Sequence, residues 1–90
     1  MSAAPKVTIY TTRMCPYCHG AKALLTQKGV AFEEIDAPRG SKAREQAIAR
    51  SGGRRTVPQI FIGDRAIGGY DDLRALDRAG ALDALLAGPR

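Results

Sequence analysis

The spacing of hydrophobic residues divides the first half of the chain into two strands and a helix. Lys6–Tyr10 alternates polar with apolar residues, which predicts a strand. After Cys15, apolar residues recur at helical spacing as far as Gly29, which is a natural helix stop. Val30–Asp36 predicts a second strand. A strand, a helix and a strand in succession indicate a parallel crossover.

The second half predicts a helix followed by a hairpin. Ser41 can cap a helix over Lys42–Arg50. Pro58–Ile62 and Arg65–Gly69 are short apolar segments on either side of a Gly-Asp turn, which indicates an antiparallel pair.

The chain then ends in helical patterns. Asp71 can cap a further helix, and residues 81–87 can form a short last one. We therefore predict an α/β fold of order βαβαββα, with a four-stranded mixed sheet and helices on both faces, as one domain over residues 1–90.

Composition and charge narrow the function classes. The 90 residues are 44% hydrophobic and carry a net charge of +5, but aromatic residues make up only 6% and there is no long basic run. We therefore expect no nucleic-acid partner. No segment reaches the ~20 apolar residues of a membrane span, and Lys6 and Thr8 interrupt any signal sequence. We expect a cytoplasmic monomer, in a compartment where paired cysteines are more often catalytic or metal-binding than structural.

Both cysteines and the only histidine lie in one stretch, RMCPYCHG (Arg13–Gly20). The stretch fits a redox dithiol and also the Cys-x-x-Cys-His pattern of c-type haem attachment. The haem interpretation is disfavoured because Met14 adjoins the motif and cannot reach the far side of a haem. Zinc needs about four ligands and the stretch supplies at most three. The remaining alternative is that both cysteines are inert residues of the core. We expect His19 to face solvent.

Position favours Cys15 as the reactive sulfur. If Cys15 caps the helix, Pro16 takes the first helical position, where its missing N–H costs nothing. The unpaired N–H groups of a helix N terminus stabilise a thiolate, so the sequence predicts a lowered pKa for Cys15. Cys18 lies one turn further and is expected to be more buried.

Three motifs in order resemble the dithiol glutaredoxins: CPYC (Cys15–Cys18), TVPQIFI (Thr56–Ile62) and GGYDDL (Gly68–Leu73). The resemblance covers nearly the whole chain. It implies the thioredoxin-like fold and glutathione-dependent thiol–disulfide exchange, with Cys15 as nucleophile and Cys18 as resolving thiol. Glutathione would then be a co-substrate, and no cofactor would be bound permanently.

The resemblance also implies how glutathione is held. Pro58 matches the family's cis-proline, which leaves the Val57 backbone free to pair with an extended peptide. Backbone N–H groups near Tyr70 can take the γ-glutamyl carboxylate, and an Asp side chain its ammonium. Asp71 and Asp72 could also serve only as helix caps. The expected glutathione contacts are Arg13, Tyr17, Thr56, Val57, Pro58, Gly69, Tyr70, Asp71 and Asp72.

One position departs from the family pattern. Glutaredoxins commonly have a lysine three residues before the first cysteine, where it helps to hold the glycine carboxylate of glutathione, and here that position is Thr12. Arg13, Arg54 or Arg55 can take over this role, or each can be a solvated surface charge.

A second function within the family is a carrier of a [2Fe–2S] cluster, held at a dimer interface by one cysteine per subunit and two glutathiones. Pro16 and Tyr17 stiffen and crowd that site, which favours the enzyme. The expected protein partners are disulfide-containing or glutathionylated proteins, and a reductase that accepts electrons is a further option.

Overall fold

The computed structural model describes residues 5–87, which form one four-stranded sheet with helices packed on it. None of the helices in this range has the length and apolar character to cross a membrane. The elements in chain order are β1 (Val7–Thr11), α1 (Pro16–Gln27), β2 (Glu33–Asp36), α2 (Lys42–Arg50), β3 (Gln59–Ile62), β4 (Arg65–Gly68), α3 (Tyr70–Arg78) and α4 (Leu82–Ala87).

The sheet has the mixed topology that the sequence predicts. Its strand order is β2-β1-β3-β4, with β1 parallel to β2 and antiparallel to β3, and with β4 returning antiparallel to β3. All five residues of β1 are buried, because this strand lies between two neighbours and has helices on both faces. The Cys-Pro-Tyr-Cys stretch lies after the end of this central strand and extends into the first turn of α1.

Alternation along the strands supplies two cores, one on each face of the sheet. Val7 and Ile9 of β1 and Ile60 of β3 face α1, α3 and α4, and the cluster there includes Leu25 and Leu73. The intervening residues Tyr10 and Phe61 point to the opposite face, where they pack with Ala47 of α2. The predicted placement of helices on both faces is therefore confirmed.

The second strand begins at Glu33 and not at Val30, so the expected boundary was wrong. Gly29 has a φ of 73° and Val30 N–H donates to Leu25 O at 3.2 Å, which is a Schellman-type helix ending. Because the Val30 N–H closes α1, it is not available to the sheet. The other strand boundaries coincide with the expected ones or differ from them by one residue.

The N-cap residues of α1 and α2 agree with the sequence prediction, and that of α3 does not. Ser41 Oγ accepts the Arg44 N–H at 3.1 Å and caps α2 as expected. The prediction that Asp71 caps the next helix was wrong, because the N-cap of α3 is Gly69. Asp72, at the third helical position, accepts the Gly69 N–H at 2.9 Å, so the side chain three residues later takes over the capping role.

Candidate active site

Cys15 lies at the junction of β1 and α1, where it is the N-cap residue of the helix. Its Sγ accepts the Cys18 N–H at 3.1 Å, and Pro16 occupies the first helical position. A disulfide bond joins Cys15 to Cys18, with their Cα atoms 5.1 Å apart. Cys18 is 1% exposed and Cys15 is 8% exposed, so the order of burial agrees with the prediction.

Two large hydrophobic side chains are exposed next to the cysteine pair. Met14 is 93% exposed and Tyr17 is 64% exposed, which makes them the large hydrophobic side chains on view next to the disulfide. His19 is exposed, as expected. Within residues 5–87 no group of three or more His, Cys, Asp or Glu side chains lies close enough together to hold a metal ion. The exposed Met14 and Tyr17 side chains can contact apolar groups of a substrate that approaches the disulfide.

The Val57–Pro58 peptide bond is cis, as the resemblance implied. Val57 O lies 4.0 Å from Cys15 Sγ. Across residues 5–87 the Val57 N–H and C=O make no backbone–backbone hydrogen bond outside the sheet, and Val57 itself precedes β3. The backbone beside Cys15 Sγ is therefore available to pair with an extended peptide.

The N terminus of α3 supplies further backbone hydrogen-bond donors. Tyr70, Asp71 and Asp72 occupy the first turn, where backbone N–H groups lack an intrahelical acceptor. Such an end favours a carboxylate. Gly68, with a φ of 114°, lies directly beneath the Asp72 carboxylate and the Arg54 guanidinium, and a Cβ there would collide with both.

A cavity of about 290 Å³ connects these features. Of the nine expected glutathione contacts, all except Arg13 line it, and Arg54 is an additional lining residue. The lining residues are Tyr17, Arg54, Thr56, Val57, Pro58, Gly69, Tyr70, Asp71 and Asp72. The structure therefore brings together parts of the sequence that are more than forty residues apart.

Arg13 lies elsewhere. It lines a separate depression with His19, Lys22 and Glu34, which shares no residue with the cavity. In this depression Glu34 accepts hydrogen bonds from Lys22 Nζ at 2.9 Å and Thr11 Oγ1 at 2.7 Å. The hydrogen bond from Lys22, followed by that from Thr11, lowers the pKa of Glu34.

Arg55 lines a third depression, of about 680 Å³, which adjoins the cavity through Thr56 and Val57. Thr12, the position at which the family commonly has lysine, also lines this depression. Arg44 donates from Nη1 to Arg55 O at 2.9 Å and so fixes the backbone there.

Gly20 supports the wall of this site, although no motif in the sequence assigns it a role. The Tyr70 ring packs against this glycine, and a Cβ at position 20 would lie 2.7 Å from Tyr70 Cε2. Tyr70 also faces Tyr17, with ring centroids 6.4 Å apart. A glycine inside a helical pattern costs about 1 kcal/mol relative to alanine, so its presence was the available signal of close packing.

Comparisons with known proteins agree on one family. The family model described as Glutaredoxin matches residues 7–67. Glutaredoxin 3 of Escherichia coli strain K12 is 59% identical over 80 residues, covering 89% of this chain and 95% of that protein. The solution structure of a glutaredoxin from Brucella melitensis is 51% identical with a TM-score of 0.81, covering 96% of this chain and 92% of that one.

A buckwheat glutaredoxin–glutathione complex is 29% identical with a TM-score of 0.80, covering 91% of this chain and 76% of that one. The fold, the Cys-Pro-Tyr-Cys pair at the start of α1 and these similarities lead to the same assignment. The chain belongs to the glutaredoxin family of thiol–disulfide oxidoreductases.

Proposed function

We propose that the protein uses glutathione to reduce protein disulfides and glutathione mixed disulfides. The observation that carries this proposal is the cavity of about 290 Å³, which runs from the start of α3 to Val57, whose carbonyl oxygen lies 4.0 Å from Cys15 Sγ. A tripeptide in this cavity would have its sulfur next to Cys15. The buckwheat relative solved with glutathione supports the same ligand.

In the proposed complex the γ-glutamyl end lies at α3. Its α-carboxylate accepts the N–H groups of Tyr70 and Asp71, and its ammonium donates to the Asp72 carboxylate. The central cysteine pairs with the Val57 backbone, and Tyr17 covers it from the solvent side. This direction places the glycine end beyond Thr56.

We assign the glycine carboxylate to Arg55. The depression beside Thr56 and Val57 contains both Arg55 and Thr12, whereas Arg13 lies in a depression that does not touch the cavity. Arg54 is already paired with Asp72 at the opposite end. A guanidinium at position 55 would thus replace the lysine that the family commonly carries at position 12.

In the monothiol route the Cys15 thiolate attacks the glutathione sulfur of a mixed disulfide. A bond forms between Cys15 Sγ and glutathione, the substrate S–S bond breaks, and the client thiolate leaves. A second glutathione thiolate then attacks the bound glutathione sulfur. This step forms glutathione disulfide and regenerates the Cys15 thiolate.

In the dithiol route Cys15 attacks a protein disulfide and Cys18 resolves the mixed disulfide. The Cys18 thiolate attacks Cys15 Sγ, which releases the reduced client and leaves the Cys15–Cys18 disulfide. The structure has this oxidised form. Two glutathiones return it to the dithiol in two exchange steps.

Cysteine variants test the two routes. Because Cys15 is the expected nucleophile, Cys15→Ser should lower the reduction of a glutathionylated peptide to the background rate of free glutathione. Cys18→Ser should keep that activity but lose the reduction of a protein disulfide. Coupled glutathione reductase assays measure both rates. Retention of activity by Cys15→Ser would contradict the assignment.

Substitution of Arg55 tests the glycine end of the complex. Arg55→Ala should raise the KM for glutathione roughly tenfold, because a hydrogen bond to a charged group contributes about 1.5 kcal/mol or more. Arg13→Ala is the matched control and should leave the KM unchanged. A raised KM in Arg13→Ala with an unchanged KM in Arg55→Ala would assign the glycine carboxylate to Arg13 instead.

The cluster-carrier alternative predicts a different product. After anaerobic reconstitution with iron, sulfide and glutathione, a carrier would become a brown dimer that absorbs between 300 and 600 nm. The proposed enzyme would stay colourless and monomeric.

The clients of the proposed enzyme would be disulfide-containing or glutathionylated proteins in the cytoplasm, where glutathione can regenerate it.

A further inference from the structure

Arg54 forms an ion pair with Asp72 at one end of the active-site cavity. Arg54 Nη2 lies 3.1 Å from Asp72 Oδ2, and the same oxygen accepts the Gly69 N–H at 2.9 Å. The two side chains are 49% and 45% exposed, and both line the cavity. The pair connects the loop before β3 to the first turn of α3.

The position of the guanidinium is defined by its surroundings. The Arg54 N–H donates to Ser51 Oγ at 3.0 Å, and the Arg54 carbonyl accepts from Gln59 Nε2 at 2.7 Å. Gly68 provides the room beneath the ion pair, because a Cβ there would collide with both partners. The side chain therefore reaches α3 from a fixed backbone.

We propose that Arg54 makes the cavity specific for a zwitterionic α-amino acid end, an inference that rests on the proposed glutathione function. A guanidinium carries five N–H donors in one plane. The ion pair with Asp72 engages Nη2, and within residues 5–87 the guanidinium makes no other hydrogen bond. Its remaining donors can bind the α-carboxylate of a γ-glutamyl group.

The same pair restricts what Asp72 can bind. Oδ2 is occupied by Arg54 and by the Gly69 N–H, which leaves Oδ1 for the ligand ammonium. With Arg54 present, the charge of Asp72 is already balanced, so a ligand that brings an amine without a carboxylate gains little. Without Arg54, Asp72 becomes an unpaired anion and the cavity favours such amines.

The test compares three peptide mixed disulfides. One carries glutathione, one carries 4-aminobutyryl-Cys-Gly, which lacks the α-carboxylate, and one carries glutaryl-Cys-Gly, which lacks the α-amino group. We expect Arg54→Ala to lower the kcat/KM ratio of the glutathione substrate to the 4-aminobutyryl substrate about tenfold. The ratio to the glutaryl substrate should not fall. Arg54→Lys, which keeps the charge, should restore part of the lost ratio.

Arg55→Ala is the control, because its side chain is assigned to the glycine end that all three substrates share. It should lower all three kcat/KM values alike and leave the ratios unchanged. If Arg54→Ala also left the ratios unchanged, Arg54 would be structural and the inference would be overturned. If the wild-type protein used glutathione, both analogues and 2-mercaptoethanol equally well, the proposed function itself would fail.

Discussion

At the scale of single residues, Glu34 links stability to pH. Its lowered pKa means that the folded state releases this proton more readily than the unfolded chain, so the contribution is present above the ordinary value of 4.5 and is lost as the pH falls below it. Glu34 is part-exposed, so we expect Glu34→Gln to cost only about 0.5–1 kcal/mol at pH 7.

Urea denaturation at pH 7 and pH 2.5 measures this contribution. The difference between wild type and Glu34→Gln should shrink as the pH falls from 7 to 2.5, because protonation of Glu34 removes the charge that Lys22 and Thr11 stabilise. Glu33→Gln is the matched control, because its ion pair with Lys6 is more exposed and should contribute less. A Glu34→Gln difference that persisted unchanged at pH 2.5 would mean that packing and not charge is responsible.

Residue identities in the site could be predicted where a motif fixes them. Cys15, Pro58 and Asp72 come from contiguous motifs whose local geometry is determined by neighbours along the chain. Arg13 was placed by its distance from Cys15 along the sequence, but a side chain at the end of a strand can point to either face of the sheet. Only the three-dimensional structure separates Arg13 from Arg54 and Arg55.

At the scale of secondary-structure elements, the contact between α1 and α3 positions Tyr70. Gly20→Ala would add about 1 kcal/mol of helix propensity, but its Cβ would displace the Tyr70 ring from the cavity wall. We therefore expect nearly unchanged stability with a KM for glutathione raised several-fold. Thermal denaturation and steady-state kinetics measure the two quantities.

A double variant isolates the contact. In a Tyr70→Ala background the ring is absent, so Gly20→Ala should have no further effect on KM and should only stabilise the helix. An equal KM effect of Gly20→Ala in both backgrounds would show that the ring is not involved.

The types and the order of the secondary-structure elements follow from hydrophobic periodicity. The residues at which the elements begin and end depend on which acceptor each backbone N–H donates to. The sequence shows Gly29 as a stop but does not show that Val30 N–H bonds back to Leu25 O. In the same way, Gly69 can cap α3 because Asp72 supplies the acceptor. These bonds join residues across a turn, and hydrophobic spacing carries no information about them.

At the scale of the whole molecule, the net charge of +5 should affect the encounter with anionic substrates. Glutathione carries a net negative charge, so kcat/KM for a glutathionylated peptide should fall two- to threefold, roughly, between 20 and 300 mM NaCl. Alkylation of the reduced protein by neutral iodoacetamide is the control and should change little. A salt-independent kcat/KM would show that the charge plays no part in the encounter.

The sulfur atom that we propose as the nucleophile also accepts a hydrogen bond at the start of a helix. Cys15 Sγ accepts the Cys18 N–H at the start of α1, and the strength of such a bond depends on whether the sulfur is a thiolate, a mixed disulfide or an intramolecular disulfide. Each covalent state of Cys15 should therefore have its own melting temperature. Thermal denaturation could then serve as a label-free reporter of where the protein stands in its reaction cycle.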